Sequence, residues 1–124
     1  MYSKYSEELH VVIVYIIEPH PSGSISPYSD KEWPLSYSKD QEGNSIFQPQ
    51  TYDERLVLAQ KTIKEQGIEC PVLVDEMDNP IWCTYGQGPN MAYLIRSDGE
   101  IIVKQIWNDP PKMEEFILAY IIRN

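Results

Sequence analysis

The chain has 124 residues, 42% of them hydrophobic and 23% charged, with a formal net charge of −9. Such a length and composition suit one soluble globular domain over residues 1–124, able to bury roughly two thirds of its unfolded surface without a disulfide or metal staple. The acidic balance argues against a phosphate backbone or an anionic membrane surface as partner, and the longest apolar run, Val11 to Ile17, is too short to cross a bilayer.

That run has no basic flank and no small-residue cleavage site, so it is not a signal peptide, and cytoplasm is the default compartment. Tyr2 to Glu8 reads as a short lead-in with the look of the last turns of a helix. His10 to Ile17, rich in Val and Ile and not alternating, predicts a parallel strand covered on both faces. Pro19 and Pro21 end it. Ser22 to Gln50 is a long Ser-, Pro- and Gly-containing loop whose aromatics, Tyr28, Trp33, Tyr37 and Phe47, are expected to pin it to the surface.

Thr51 to Glu54 reads as a capping box for a helix with Tyr52, Leu56, Ala59 and Ile63 on its buried stripe and Gly67 at its stop. Pro71 to Val74 predicts a second short buried strand, closed by Asp75 to Asn79. Asn79 as N-cap and Pro80 at the first position then open a brief helix ending at Gly86. Met91 to Ile95 and Glu100 to Ile106 flank Ser97-Asp98-Gly99 and predict a hairpin. Asp109 and Pro110 cap a last helix with Met113, Phe116, Ile117, Tyr120 and Ile121 inward. A βα run followed by a hairpin and a closing helix is an α/β arrangement.

Glu18 and His20 stand just past the carboxyl end of the first strand, where α/β sheets place their ligands. Two positions apart in an extended segment, they point to one side and both address one reacting atom. The plainer reading is a solvated loop Glu and His. His10, at the far end of the strand, reads as structural. The spacing of Asp75-Glu76-Met77-Asp78-Asn79 does not match a calcium loop and reads as a strand-end turn and helix cap. Cys70 and Cys83 form neither a CxxC nor a zinc pattern, so no metal or cofactor is expected. Cys70 reads as a small buried hydrophobe; Cys83, between Trp82 and Tyr85, is either structural or a thiol of some reactivity.

The segment "VYIIEPHPSGS" resembles the Y-I-x-E-x-H element of the iodothyronine deiodinases and their bacterial deiodinase-like relatives. "QPQTYDERLVLA", "CPVLVDEMDN" and "YLIRSDGEIIVK" follow in that family's order. The resemblance implies a thioredoxin-like three-layer sandwich, incomplete at the N-terminus because the first core strand and the nucleophile's helix are missing. It implies a parent activity in which an upstream cysteine or selenocysteine reduces a small substrate, a thiol reductant restores it, and Glu18 and His20 assist. Trp33 and Pro89 are then expected to position the substrate, Pro89 as a cis-proline. Gly23-Ser24-Ile25 replaces the G-W after the family's histidine, and Phe47-Gln48-Pro49 stands where the animal enzymes carry a second one. A general thiol or selenol redox role follows better than iodothyronine as substrate.

On this reading the nucleophile belongs to a segment ahead of Met1. The expected cause is a selenocysteine codon read as stop, a gene fragment or a trimmed chain. The gap in the sheet is expected to close by direct pairing of the Val11 and Met91 strands, or by a strand from a second copy in a homodimer. A different class, a non-catalytic binding or assembly module on the same scaffold, is the alternative, and a thiol protein centred on Cys83 is a second.

Overall fold

A computed structural model describes residues 4–5, 7–28, 30–34 and 39–123. The expectations for Met1 to Ser3 and for Tyr37 lie outside the described residues. Contacts gather in two compact units, Val12–Gln87 on one side and Met1–Val11 with Gly88–Asn124 on the other. Both are mixed α/β with short sheets.

The Val12–Gln87 unit contains β1 (Ile13–Tyr15), α1 (Tyr52–Gln66), β2 (Val72–Val74) and α2 (Pro80–Tyr85). The two strands pair in parallel, as predicted, with Val14 opposite Leu73. The first strand is shorter than the apolar run, and Val12, Ile13 and Leu73 are exposed rather than covered. The partner explains the length. Pro71 has no N–H to extend the ladder, and after Val74 the chain turns away at Asp75. The pairing therefore ends at two bonds, Ile13 N–H to the Pro71 carbonyl (3.0 Å) and Asp75 N–H to the Tyr15 carbonyl (2.8 Å).

Helix α1 starts where its capping residues say it should. Thr51 Oγ1 accepts the Glu54 N–H at 3.2 Å, while the Glu54 carboxylate reaches back to the Gln50 N–H at 2.6 Å. Gly67 ends the helix at φ 62°, a left-handed conformation that only glycine adopts cheaply, and its N–H closes on the Ile63 carbonyl. On the predicted stripe Ala59 is buried, Leu56 and Ile63 are half-buried, and Tyr52 is exposed. Arg55 is buried instead.

Helix α2 begins at Pro80 as predicted, but Asn79 does not cap it. Its backbone is left-handed (φ 57°) and its side chain makes no capping bond. The cap comes from four residues earlier: Asp75 Oδ1 accepts the Ile81 N–H at 3.1 Å and Oδ2 the Trp82 N–H at 3.0 Å. A carboxylate with two oxygens satisfies two of the orphan donors that a single amide oxygen would have to share.

The other unit is a hairpin, β3 (Ala92–Ile95) with β4 (Ile101–Gln105), followed by α3 (Pro110–Arg123). Gly99 at φ 92° makes the turn, and the Asp98 carboxylate accepts the Glu100 N–H within it. Asp109 caps α3 through the Lys112 N–H at 3.1 Å. Tyr5, Leu94, Met113 and Ile117 form the buried centre, with Leu9, Ala92, Ile102, Val103 and Ile121 packed against it. Phe116, expected inward, is exposed with the Lys112 ammonium over its ring. The described part of the lead-in is one turn, with the Glu8 and Leu9 N–H groups both donating to the Tyr5 carbonyl.

The strands make two separate two-stranded sheets, β1–β2 and β3–β4. Among the described residues there is no cis peptide bond, so Pro89 is not a cis-proline. No described helix is long and apolar enough to cross a membrane.

Candidate functional site

The carboxyl ends of the parallel strands β1 and β2 carry one acid each, Glu18 and Asp75, and both are buried. At Glu18 the loop folds back over the strand end. Pro21 and Ser22 are fully buried, the Ser22 N–H donates to the Ile46 carbonyl at 2.7 Å, and the Ser26 hydroxyl donates to the Pro19 carbonyl. The solvated glutamate of the plainer reading is therefore replaced by a carboxylate whose side chain is 7% exposed.

Burying a carboxylate requires a counter-charge, and α1 supplies it. Arg55 Nη2 lies 3.1 Å from Glu18 Oε1, with the arginine side chain only 1% exposed. Gln48 Nε2 donates to the same oxygen at 3.0 Å. The other arm of the guanidinium, Nη1, donates to the Glu76 carbonyl (2.9 Å), Asn79 Oδ1 (3.0 Å) and the Asp75 carbonyl (3.3 Å). One planar group with fixed donors thus ties the end of β1 to the turn after β2. The Asn79 side chain makes this contact and no capping bond. Burial, and next the negative charge of Glu18, push the Tyr15 hydroxyl well above its ordinary value.

His20 is half-buried and meets the Trp33 ring edge-on, with centroids 4.3 Å apart and planes at 67°. Trp33 is itself held by backbone: the Gly23 N–H donates to its carbonyl at 2.8 Å and its own N–H donates to the Ser24 carbonyl at 3.2 Å. Tyr28 anchors the loop in the same manner, edge-on to Trp82 with centroids 5.6 Å apart. Phe47 is exposed and anchors nothing of that kind. Pro19 and His20 lie in a bend, not an extended segment, so the rule that residues two apart share a side does not fix Glu18 and His20 on one atom. The structure gives them different partners: Arg55 and Gln48 for Glu18, Trp33 for His20.

Pro89 belongs to the unit that contains the hairpin and α3, not to the unit of Glu18, His20 and Trp33. Cys70 is half-buried and Cys83 exposed, both as free thiols. No group of three metal-ligating side chains occurs among the described residues. An open apolar groove of about 590 Å³ runs beside β2, lined by Tyr52, Leu56, Leu73, Pro80 and Ile81 among others; neither Glu18 nor His20 lines it.

Sequence reasoning missed Arg55, Gln48 and Asn79 as members of this site. A signal for Arg55 was present: it lies four residues before Ala59, on the inward stripe, in a chain that places acids at both strand ends. Chemically, the arrangement offers one charge-paired carboxylate and one imidazole, the side chain best suited to trading protons near neutrality. No family model, no curated protein and no solved structure matches the chain.

Proposed function

We propose that this chain is the C-terminal part of a deiodinase-like thiol or selenol oxidoreductase, with Glu18 and His20 serving a cysteine or selenocysteine in a segment ahead of Met1. The supporting observation is the holding of both side chains just past the carboxyl end of a parallel strand, Glu18 by Arg55 and Gln48, His20 by Trp33. Ligands of α/β sheets gather at that end. In this reading His20 exchanges the proton, and Glu18 supplies fixed charge beside it. The nucleophile reduces a small substrate and a thiol reductant restores it, in the cytoplasm, without nucleic acid or membrane as partner.

The fold proposed with it is a thioredoxin-like sandwich lacking its first strand and nucleophile helix. A parallel pair and a separate antiparallel hairpin are the pieces such a sheet leaves when its central strand is removed, and the free edges suit a homodimer through strand pairing. Trp33 acts by fixing His20; Pro89 keeps its positioning role on the resemblance alone. A second reading, a non-catalytic binding or assembly module, is favoured by one observation: the Glu18–Arg55 pair is nearly sealed from solvent, as a structural pair would be.

Sequencing about 50 codons upstream tests for the ~30-residue strand-plus-helix unit. If a cysteine or UGA codon follows strand-like sequence there, the extended protein should show thiol-dependent turnover. His20→Ala in it should lose about 10² to 10⁴-fold of that turnover with stability unchanged. Unrelated upstream sequence, or turnover untouched by the substitution, rejects the catalytic reading.

A further inference from the structure

Strand β2 pairs with β1 along one edge, and among the described residues its other edge has no partner strand. The two ladder bonds turn the Pro71 carbonyl and the Asp75 N–H toward β1. Backbone groups alternate between the two edges of a strand, so Val72 and Val74 present theirs to the far side. The apolar groove of about 590 Å³ lies on that side: Val72, Leu73 and Val74 line it and no residue of β1 does. Tyr52 and Leu56 of α1, with Pro80 and Ile81 of α2, supply the rest of its apolar surface. The Tyr52 hydroxyl reaches the Val74 carbonyl only at 3.5 Å, the outer limit of a hydrogen bond. Natural sheets blunt an open edge with lysine, proline or a bulge. Val72–Val74 has none of these, and Leu73 is exposed.

We propose that this groove takes up an extended apolar peptide segment flanked by lysine or arginine, added as a strand to the far edge of β2. Backbone bonds hold a chain added in this way, and apolar surface beside the edge receives its alternate side chains. The Val72 N–H and C=O and the Val74 N–H are in place for such bonds, and the Val74 carbonyl joins them once the Tyr52 hydroxyl yields it. A small molecule fits less well, because ligand pockets enclose most of their guest and this groove is open. The charge of the partner follows from the groove's own acids. Its charged members are Asp75 and Glu76, and no basic side chain lines it. The Asp75 carboxylate caps α2, which leaves the exposed Glu76; Asp53, also exposed, follows Tyr52 in the first turn of α1. A second copy of a chain with net charge −9 would bring the same acids to the same edge, whereas lysine or arginine meets them with opposite sign. The strand missing in the redox reading would lie beyond β1, on the opposite edge, so this proposal stands independently of that reading.

The probe is a synthetic peptide, acetyl-KVTVTVK-amide, titrated into the 124-residue chain while the backbone amide signals are followed by NMR. The expected result is saturable shifts and slowed hydrogen exchange at Val72 and Val74, with no added protection at Leu73, which faces β1. Exchanging both peptide lysines for glutamate should weaken binding. Glu76→Gln should weaken binding of the lysine peptide about two- to fivefold, the span of one exposed ion pair, and the difference should fade at high salt. No shift at Val72 and Val74 with millimolar peptide would overturn the proposal, as would equal binding of the glutamate peptide. Protection of the two valine amides without any peptide would also overturn it. Protection that grows with protein concentration would assign the edge to a second copy, and protection at every concentration would assign it to the chain itself.

Discussion

Replacing Arg55 with Met keeps length and apolar bulk but removes the guanidinium donors that tie Glu18 to the turn after β2. The Glu18 carboxylate, 7% exposed, would retain only the Gln48 amide at 3.0 Å. The Asp75 and Glu76 carbonyls and Asn79 Oδ1 would lose the donor they share. Breaking a buried ion pair from one side costs about 3–5 kcal/mol, because a charge is left without compensation. Against a total stability of about 5–15 kcal/mol this is a large fraction. At about 2.1 cal/mol/K of unfolding entropy per residue, the loss lowers Tm by about 12–20 °C. Glu18→Gln should cost less, since Arg55 keeps three acceptors on its other arm. The assay is urea unfolding of the wild type, both single variants and the double variant. Arg55→Met should lose more than Glu18→Gln, and the double variant less than their sum, with a coupling of about 0.5–3 kcal/mol. An Arg55→Met variant within about 0.5 kcal/mol of wild type, the range of surface substitutions, would refute the buried tie.

Gly67→Ala should lose about 1 kcal/mol in the same unfolding assay, from backbone strain at φ 62° alone, because a Cβ there meets no atom within 4 Å. Asp75→Ala removes acceptors from the Ile81 and Trp82 N–H groups and should cost about 1–2 kcal/mol, with loss of hydrogen-exchange protection confined to the start of α2. The Lys61 ammonium, then the Asn44 backbone N–H, hold the Asp40 carboxyl at about 2, below its ordinary 3.8. A depressed carboxyl stabilises the fold above its unfolded value and ceases to do so as the pH falls through its folded value, so this contribution should disappear between about pH 4 and pH 2. Carboxyl-carbon NMR titration of the wild type and of Lys61→Met checks it: the substitution should return Asp40 toward the ordinary value, and an unchanged titration would exclude Lys61 as the cause.

The elements were legible in the chain because each rests on local chemistry. Thr51, Glu54 and Gly67 bound a helix through hydrogen bonds and a left-handed turn that lie within a few residues of one another. Ser97-Asp98-Gly99 sets the hairpin in the same manner, and the parallel sense of the two short apolar strands follows from the helix between them. Glu18 and His20 could be singled out because a strand end is visible in a run of Val and Ile followed by prolines. Their partners could not. Arg55 and Asp75 stand 37 and 57 positions beyond Glu18, and burial of a charge is decided by which distant groups arrive to neutralise it. The length of β1 likewise depended on Pro71 and Asp75, residues of its partner and not its own. Local pattern specified what each segment is; tertiary structure decided that Glu18 is paired and sealed, that His20 lies against Trp33, and that the strands form two sheets, since these depend on contacts the order of residues does not contain.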